Sequence, residues 1–522
     1  MKQRILISLI AFAVMLAVYD RGITLLDEGF TVHASERIAD GQLPYRDFFT
    51  LVTPGSFVIH AALFRTFGKS LLVGRWLAVL LGTLIPMLIY QLARRLAAPW
   101  FAFGATLVSI AWGVSESFWP VYANYAWFAC LFVLASCDLA CGGRLSLEAG
   151  REGPGRAMFA GAGAFAGLAL AFKQNTGLYA LAALTACVTL APGRRWRHRV
   201  AVVALVWGAA TLVNIPWLAW IAAGGGWDAM VTDLVLTPLR RFRADASAPY
   251  PQAWPLWPSL GGSDASTWSQ AIVVAGRRLI AWMPLLYVAS AVTLARRTLL
   301  DRDPTIGSHA TVLLFGCATF LTVFPRADLL HLLFAVPLGF SLSAPLLEAA
   351  WLKRGGRLGQ SLTWMKRGLI GLAMGVLLVG QVADGMRNYA NTSRLDRPRA
   401  GVRVAPEDGA GIEAVLDMIQ SRTRAADPIL VVPWAAMFYF LSERHNPTAY
   451  DMLIVANIDA AGEARMLEQL NAAPPRLVVR GYEWDVNGQP LEVCVPRVAA
   501  WIAAHYRSVR RQGAYEVFEP SP

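Results

Sequence analysis

The sequence predicts a polytopic α-helical membrane protein that carries an α/β domain at its C-terminal end. Three observations predict it. Of the 522 residues, 56% are hydrophobic and 16% charged, and the mean hydropathy is +0.44, well to the apolar side of soluble proteins. The apolar residues come in long runs separated by short basic loops, which is how bilayer-crossing helices are written. Residues 409–522 instead alternate helical and strand patterns, the mark of an α/β layer. A soluble globular enzyme does not fit this composition.

The elements follow in order. The first apolar run, residues 5–19, comes after Lys2 and Arg4 and lacks a small-x-small cleavage site before Asp20, so it reads as an uncleaved span that starts inside. Further runs at 71–91, 99–115, 121–140, 157–172, 178–191, 200–222, 279–295, 308–324, 329–350 and 368–383 bring the expectation to about eleven spans, several of them short. This topology puts Arg94-Arg95 and the basic stretches 144–156, 194–199, 296–297 and 353–367 on the cytoplasmic side, as the positive-inside rule requires. The outer side then holds two long loops, 21–70 and 224–270, with a short loop at 116–122 and turns at 173–177 and 324–328.

The expected domains are a transmembrane domain over 1–384, a linker over 385–408 and the α/β domain over 409–522, which an odd number of spans places outside. Within it, helices are expected at 411–421, 435–442, 461–471 and 496–506, and strands at 428–432, 476–480 and 515–518.

The formal net charge of +12, from 47 Lys and Arg against 35 Asp and Glu, raises the question of nucleic acid. The basic residues lie in short loops and are not interleaved with aromatics as a nucleic-acid platform would be. Nucleic acid is therefore not an expected partner; the lipid bilayer is. Of the six cysteines, Cys130, Cys137, Cys141, Cys187 and Cys317 fall in or beside spans and Cys494 stands in the polar tail, so no structural disulfide is expected.

The candidate chemistry gathers on the outer face. Asp27-Glu28 follows the first span directly, and a carboxylate held at the interface beside apolar wall has a raised pKa and serves as a base. Adjacent side chains point about 100° apart on a helix and oppositely on a strand, so one of the two is expected to act while the other caps, orients or binds a metal; a solvated loop or helix cap is the plain alternative. Lys173 opens an outer turn against the positive-inside rule, Arg326 sits in the turn 324–328, and Arg277-Arg278 lies at the outer mouth of a span. Cations at this depth are costly unless paired or wetted, and together they point to an anionic ligand such as a lipid phosphate. Snorkelling would also explain Lys173 and Arg277-Arg278, and an ion pair with Asp328 would explain Arg326. Glu116 is a second outer carboxylate, or a plain loop acid. His33 and His331 lie near these groups, but no His-x-x-His, Cys-x-x-Cys or Asp-x-Asp spacing occurs, so no metal is expected and a divalent ion is only weakly supported. Trp119, Trp227, Trp254 and Trp257 in outer loops could stack on sugars, although interfacial belts use the same residue.

Asp27-Glu28-Gly29-Phe30, the stretch Gly41 to Phe48, Pro54 to Gly68 and Arg75 resemble the first outer loop of GT-C glycosyltransferases, the protein O-mannosyltransferase and lipid A aminoarabinose transferase kind. Phe172 to Gly177 and Arg326 to His331 resemble later motifs of bacterial members, and Pro433 to Asp451 resembles their outer C-terminal domain. The resemblance covers nearly the whole chain. It implies a GT-C type transmembrane domain, a sugar donor on a polyprenyl monophosphate, and inverting transfer at the outer face of a bacterial inner membrane, with the N-terminus cytoplasmic and the C-terminal domain periplasmic. The acceptor would be a hydroxyl on a glycan, lipid or protein. Asp27 takes the position of the family's first-loop acid and would be the base, with Glu28 and Glu116 as the other catalytic candidates. Lys173, Arg326, His331, Arg277 and Arg278 would hold the lipid phosphate. His33, Tyr45, Arg46, Asp47, Gln174 and Asn175 would contact substrate. No cofactor is implied.

Two other classes compete. A non-catalytic lipid or polysaccharide transporter or sensor would be expected to carry polar groups at the bilayer midplane and paired repeats, and an O-antigen ligase or polymerase would centre its chemistry on a later outer loop. Only the GT-C reading makes the first loop indispensable.

Overall fold

The computed structural model describes residues 2–522 apart from 115–121, 192–194, 243–244, 246, 257–267, 302–304, 353–358 and 482–488. Helix α1 (Lys2–Val18) comes first, and the first long loop then folds into two helices, α2 (Asp27–Ala39) and α3 (Gly55–Phe67). Six longer helices follow: α4 (Leu71–Leu96), α5 (Pro99–Val114), α6 (Tyr125–Glu148), α7 (Glu152–Phe172), α8 (Gln174–Thr189) and α9 (Trp196–Ala223). The second long loop opens with α10 (Trp227–Val231) and two π-helical turns, Thr232–Leu236 and Pro238–Phe242. The remaining helices of the layer are α11 (Trp268–Ile280), α12 (Met283–Arg296), α13 (Ile306–Phe320), α14 (Leu329–Ala335), α15 (Pro337–Leu352) and α16 (Gly359–Ala390).

Among the described residues, five helices are long and apolar enough to cross a membrane: Leu71–Leu96, Tyr125–Glu148, Glu152–Phe172, Trp196–Ala223 and Ile306–Val323. Two further pairs reach that length only together across a sharp bend, of 52° between Gln270–Ile280 and Met283–Leu299 and of 67° between Leu329–Ala335 and Pro337–Trp351. Against the expectation of about eleven spans, five to seven helices pass among the described residues: α1, α5 and α8 are only 17, 16 and 16 residues long, and α16, which holds the expected span 368–383, is not among those that pass. Small residues bring α7 and α9 into backbone contact. A Cβ on Gly163 would lie 2.3 Å from the Val206 carbonyl oxygen, and one on Gly167 2.7 Å from Ala210 Cα, the close approach that small-residue stripes allow between apolar helices. Asp138, inside α6, is satisfied by Arg95 Nε at 2.7 Å.

α16 runs on to Ala390, into the expected linker, and the rest of that linker forms the two-residue strands β1 (Ser393–Arg394) and β2 (Arg403–Val404). The linker is tied to the exit of α1, where Gly22 N–H donates to the Arg403 carbonyl at 2.6 Å and Arg403 N–H to that of Asp20 at 2.7 Å.

Beyond it come α17 (Pro406–Arg422), β3 (Ile429–Val432), α18 (Met437–Ser442), α19 (Ala460–Ala472), β4 (Leu477–Gly481), α20 (Leu491–Cys494), α21 (Pro496–His505), β5 (Tyr506–Gln512) and β6 (Tyr515–Pro520). The strands form one sheet in the order β3-β4-β6-β5, with β3 and β4 parallel and the other two pairings antiparallel. β5 has no counterpart among the expected strands. Apart from Tyr506 its side chains are exposed or only half-buried, so no apolar alternation marks it; charge on an edge strand such as Arg507, Arg510 and Arg511 discourages pairing with other chains.

Candidate active site

The site is built where α2 starts. Asp27 is the first residue of α2 and Glu28 the second, and their carboxylates have different surroundings. Glu28 is 3% exposed and accepts from Arg75 Nη2 at 2.7 Å and from the Thr24 amide at 3.3 Å. Arg75, fully buried on α4, also donates to the carbonyls of Arg21 at 3.0 Å and Gly22 at 2.8 Å. Glu28 is therefore committed to joining the first long loop to α4. Asp27 is half-buried, and no hydrogen bond or ion pair reaches its carboxylate among the described residues. Desolvation pushes its pKa up to about 6, against the pull of Arg326 and with a push from Asp328.

The opposite wall is the turn before α14. Arg326 Nε donates to Asp328 Oδ2 at 2.8 Å, and Asp328 Oδ1 caps α14 by accepting from the His331 amide at 3.0 Å while meeting His331 Nδ1 at 2.7 Å. These partners outweigh burial and hold Asp328 down to about 2. Among the described residues only Nε of Arg326 is engaged, so its two terminal nitrogens face the site with donors to spare. The turn is fixed from outside by the second loop, since Ala248 N–H donates to the Pro325 carbonyl at 3.3 Å and Ala327 N–H to that of Ala248 at 3.2 Å.

Lys173 is the extended residue between α7 and α8, with φ −151° and ψ 102°. Its Nζ lies 5.7 Å from the centroid of the Phe334 ring, and no ion pair holds it among the described residues. Burial lowers its pKa to about 8, partly offset by Cys130 and Asp328. Asp328 is in electrostatic reach of both Asp27 and Lys173. Among the described residues, an unpaired carboxylate and an unpaired ammonium thus flank the Arg326–Asp328 turn, where the guanidinium is only half used. Tyr122 and Tyr125, at the head of α6, also lie in reach of Asp27. Sequence reasoning missed them, although polar Tyr122-Ala123-Asn124-Tyr125 at the start of an apolar helix is a visible signal.

No family model matches this sequence, and no curated protein matches it either. The solved structures do. ArnT from Cupriavidus metallidurans bound to undecaprenyl phosphate aligns over 98% of this chain and 97% of its own, with a TM-score of 0.57 at 14% identity. Its apo state aligns over the same shares with a TM-score of 0.58 at 13% identity. The archaeal oligosaccharyltransferase AglB from Archaeoglobus fulgidus, in complex with an inhibitory peptide and a dolichol-phosphate, aligns over 92% of this chain and 69% of its own, with a TM-score of 0.57 at 13% identity.

The chain has the GT-C fold. The other residues singled out in the sequence occupy different parts of it. His33 is 3% exposed, stacked on Tyr439 at 4.7 Å and bonded through Nδ1 to Asp451 at 3.1 Å, so its ring faces the C-terminal domain. Tyr45 is buried and its hydroxyl donates to the Val52 carbonyl at 3.0 Å. Arg46 and Asp47 pair with each other at 2.8 Å. Gln174 Nε2 donates to the Leu51 carbonyl at 2.7 Å, which ties the first loop to the Lys173 turn, and Asn175 is half-buried beside it. Arg278 donates to the Pro255 carbonyl at 2.6 Å and so holds the second loop, whereas Arg277 is exposed and is not among the charges acting on Asp27. Glu116, Trp119 and Trp257 lie outside the described residues. Among the described residues no group of three or more His, Cys, Asp or Glu could hold a metal ion.

The sequence also gave no warning of Asp233, a buried acid of the first π-helical turn whose carboxylate accepts from the Thr50 amide at 3.4 Å and is pushed up to about 7 by desolvation.

The Glu28–Arg75 pair carries a direct prediction. Removing one partner of a buried pair strands the other charge, at about 3–5 kcal/mol. Arg75→Met should therefore lower thermal stability in detergent strongly. Adding Glu28→Gln to it should recover part of the loss, a coupling that a double-mutant cycle reads directly.

Proposed function

We propose that this chain is an inverting membrane glycosyltransferase that moves a sugar from a polyprenyl-phosphate donor to an acceptor hydroxyl on the outer face of a bacterial inner membrane. The observation that supports the reading is the Asp27 carboxylate, unpaired among the described residues and in electrostatic reach of Arg326, beside a turn whose Asp328 also acts on the Lys173 ammonium, likewise unpaired among the described residues. A resting site built this way lacks one anion and offers one base. In a GT-C fold, whose neighbours were solved with undecaprenyl phosphate and with a dolichol-phosphate, a lipid phosphate supplies the anion.

In the proposed reaction Asp27 accepts the proton of the acceptor hydroxyl as its oxygen bonds to the anomeric carbon. The bond from that carbon to the phosphate oxygen breaks, and its electron pair leaves with the polyprenyl phosphate. Lys173 and Arg326 stabilise the charge that develops there, with His331 Nε2 on the same wall. The leaving phosphate needs neutralisation more than protonation, so a single base suffices. Glu28 acts on the framework and not on the sugar. The acceptor, whether glycan, lipid or protein, would approach from the side of the second loop and the C-terminal domain. The basic loops favour a cytoplasmic N-terminus and a periplasmic domain.

The pH dependence follows from the two shifted groups. Asp27 works as the carboxylate and Lys173 as the ammonium, so transfer should fall on the acid side of about 6 and on the alkaline side of about 8. Radiolabelled sugar transfer from polyprenyl-phosphate donors, measured against pH in membranes, should give a bell between these limits; a profile flat from 5 to 9 would count against both assignments. In the same assay Lys173→Ala and Arg326→Ala should each raise the donor KM about 10- to 100-fold, the worth of a charge-assisted hydrogen bond at about 1.5–3 kcal/mol. A change in acceptor KM alone would place both cations elsewhere in the cycle.

A further inference from the structure

α2 is written as a polar helix, with Asp27, Glu28, Thr31, His33, Ser35, Glu36 and Arg37 among its thirteen residues, yet every position from Glu28 to Ile38 is buried. Much of what buries it belongs to the C-terminal domain. Met437, the first residue of α18, donates its amide to the Leu25 carbonyl at 3.3 Å and packs so tightly on Gly29 that a Cβ there would lie 2.4 Å from the Met437 nitrogen and 2.9 Å from its Cα. One residue of the domain thus grips the backbone on both sides of Asp27. Further along α2, Asp451 takes His33 Nδ1 on Oδ2 at 3.1 Å, and takes Arg37 at 3.5 Å and Asn446 at 2.8 Å on Oδ1. The Arg37 guanidinium also donates to the Thr448 carbonyl at 3.2 Å. Glu36 continues the seam to Arg399 at 2.7 Å.

We infer that the C-terminal domain is a positioning element for Asp27, acting through the Met437 backbone on Leu25 and Gly29 and through Asp451 on His33 and Arg37. The inference rests on the reading of Asp27 as the base and adds a function for the domain. The groups that face Asp27 are Arg326 and Asp328 from the turn before α14, and Tyr122 and Tyr125 from α6; Glu28 beside it is held by Arg75. No titratable group of the domain is among them in the described residues. The domain therefore acts on Asp27 by fixing where α2 sits, and hence how far the carboxylate is desolvated. Met437 and Asp451 are positioning residues, distant from the sugar.

Two variants of the full-length chain test this, with a third as control. Gly29→Ala drives a Cβ into the Met437 backbone, and Asp451→Asn removes the charge that gathers His33 and Arg37 while keeping its size. Leu470→Ala opens a fully buried site in the apolar cluster with Val432, Met466 and Val498, separate from the cluster that includes Leu25 and Met437. Two readouts are taken: amide exchange over residues 27–39, and the acid limb of the pH–rate profile. In Gly29→Ala and Asp451→Asn, exchange in α2 should quicken about tenfold or more, and the acid limb should move from about 6 toward the ordinary carboxylate value near ~4. Donor KM should change less than about twofold. Leu470→Ala should leave both readouts in place. Unchanged α2 exchange in both variants would overturn the inference, as would an acid limb that stays put while α2 loosens, or a Leu470→Ala chain that behaves like the other two. Absence of transfer by the wild-type chain would sink the glycosyltransferase reading, and the exchange comparison would then decide the coupling of α2 to the domain by itself.

Discussion

The site depends on an ion pair that water does not reach. Arg75, fully buried, holds Glu28 at 2.7 Å and two carbonyls of the chain leaving α1. Two charges taken out of water are stabilising only when their remaining hydrogen-bonding atoms are met. Arg75 meets that condition at its terminal nitrogens, with the backbone of Arg21 and Gly22, and Glu28 with the Thr24 amide. The pair thereby pins the first turn of α2 to α4. Because neighbouring residues on a helix point about 100° apart, fixing Glu28 toward Arg75 turns Asp27 away from it, toward Arg326 and Asp328. One carboxylate of the Asp27-Glu28 pair sets the geometry, and the other has no partner among the described residues.

The electrostatics of the opposite wall follow the same logic. Asp328 is saturated by Arg326 and His331, so it stays charged and fixes the guanidinium without neutralising the whole site. Among the described residues Lys173, at the turn between two apolar helices, has no ion-pair partner, and Phe334 offers it a ring face. Charges buried without a direct partner are costly to desolvate, which is why burial raises the Asp27 pKa and lowers that of Lys173. A bound dianion would relieve the cations, and proton transfer from a hydroxyl would relieve Asp27.

Much of this was legible in the sequence, and what was not has identifiable causes. The long apolar helices α4, α6, α7 and α9 announce themselves by length, and Asp27, Lys173 and Arg326 stand out because charges right at the ends of apolar runs are costly unless paired or wetted. The full burial of α2 was illegible, since only the narrow stripe Phe30, Ala34 and Ile38 is apolar and its polar side is covered by residues about 400 positions downstream; the His33–Asp451 contact spans 418 positions. Short helices such as α5 and α8 read as spans by hydropathy although they fall short in length. β5 shows no alternation because it is a polar edge. Asp233 carried no motif, and its environment is created by the first loop folding back to place the Thr50 amide against it.

The central claim is that Asp27 is the base and has no part in holding the donor. Its most direct test is single-turnover sugar transfer by Asp27→Asn, with donor binding measured in parallel on the same preparation. The account predicts that transfer falls by about 10²- to 10⁴-fold while the donor Kd stays within about threefold of wild type. Near-normal transfer by Asp27→Asn would contradict it, as would a loss of transfer explained wholly by loss of donor binding.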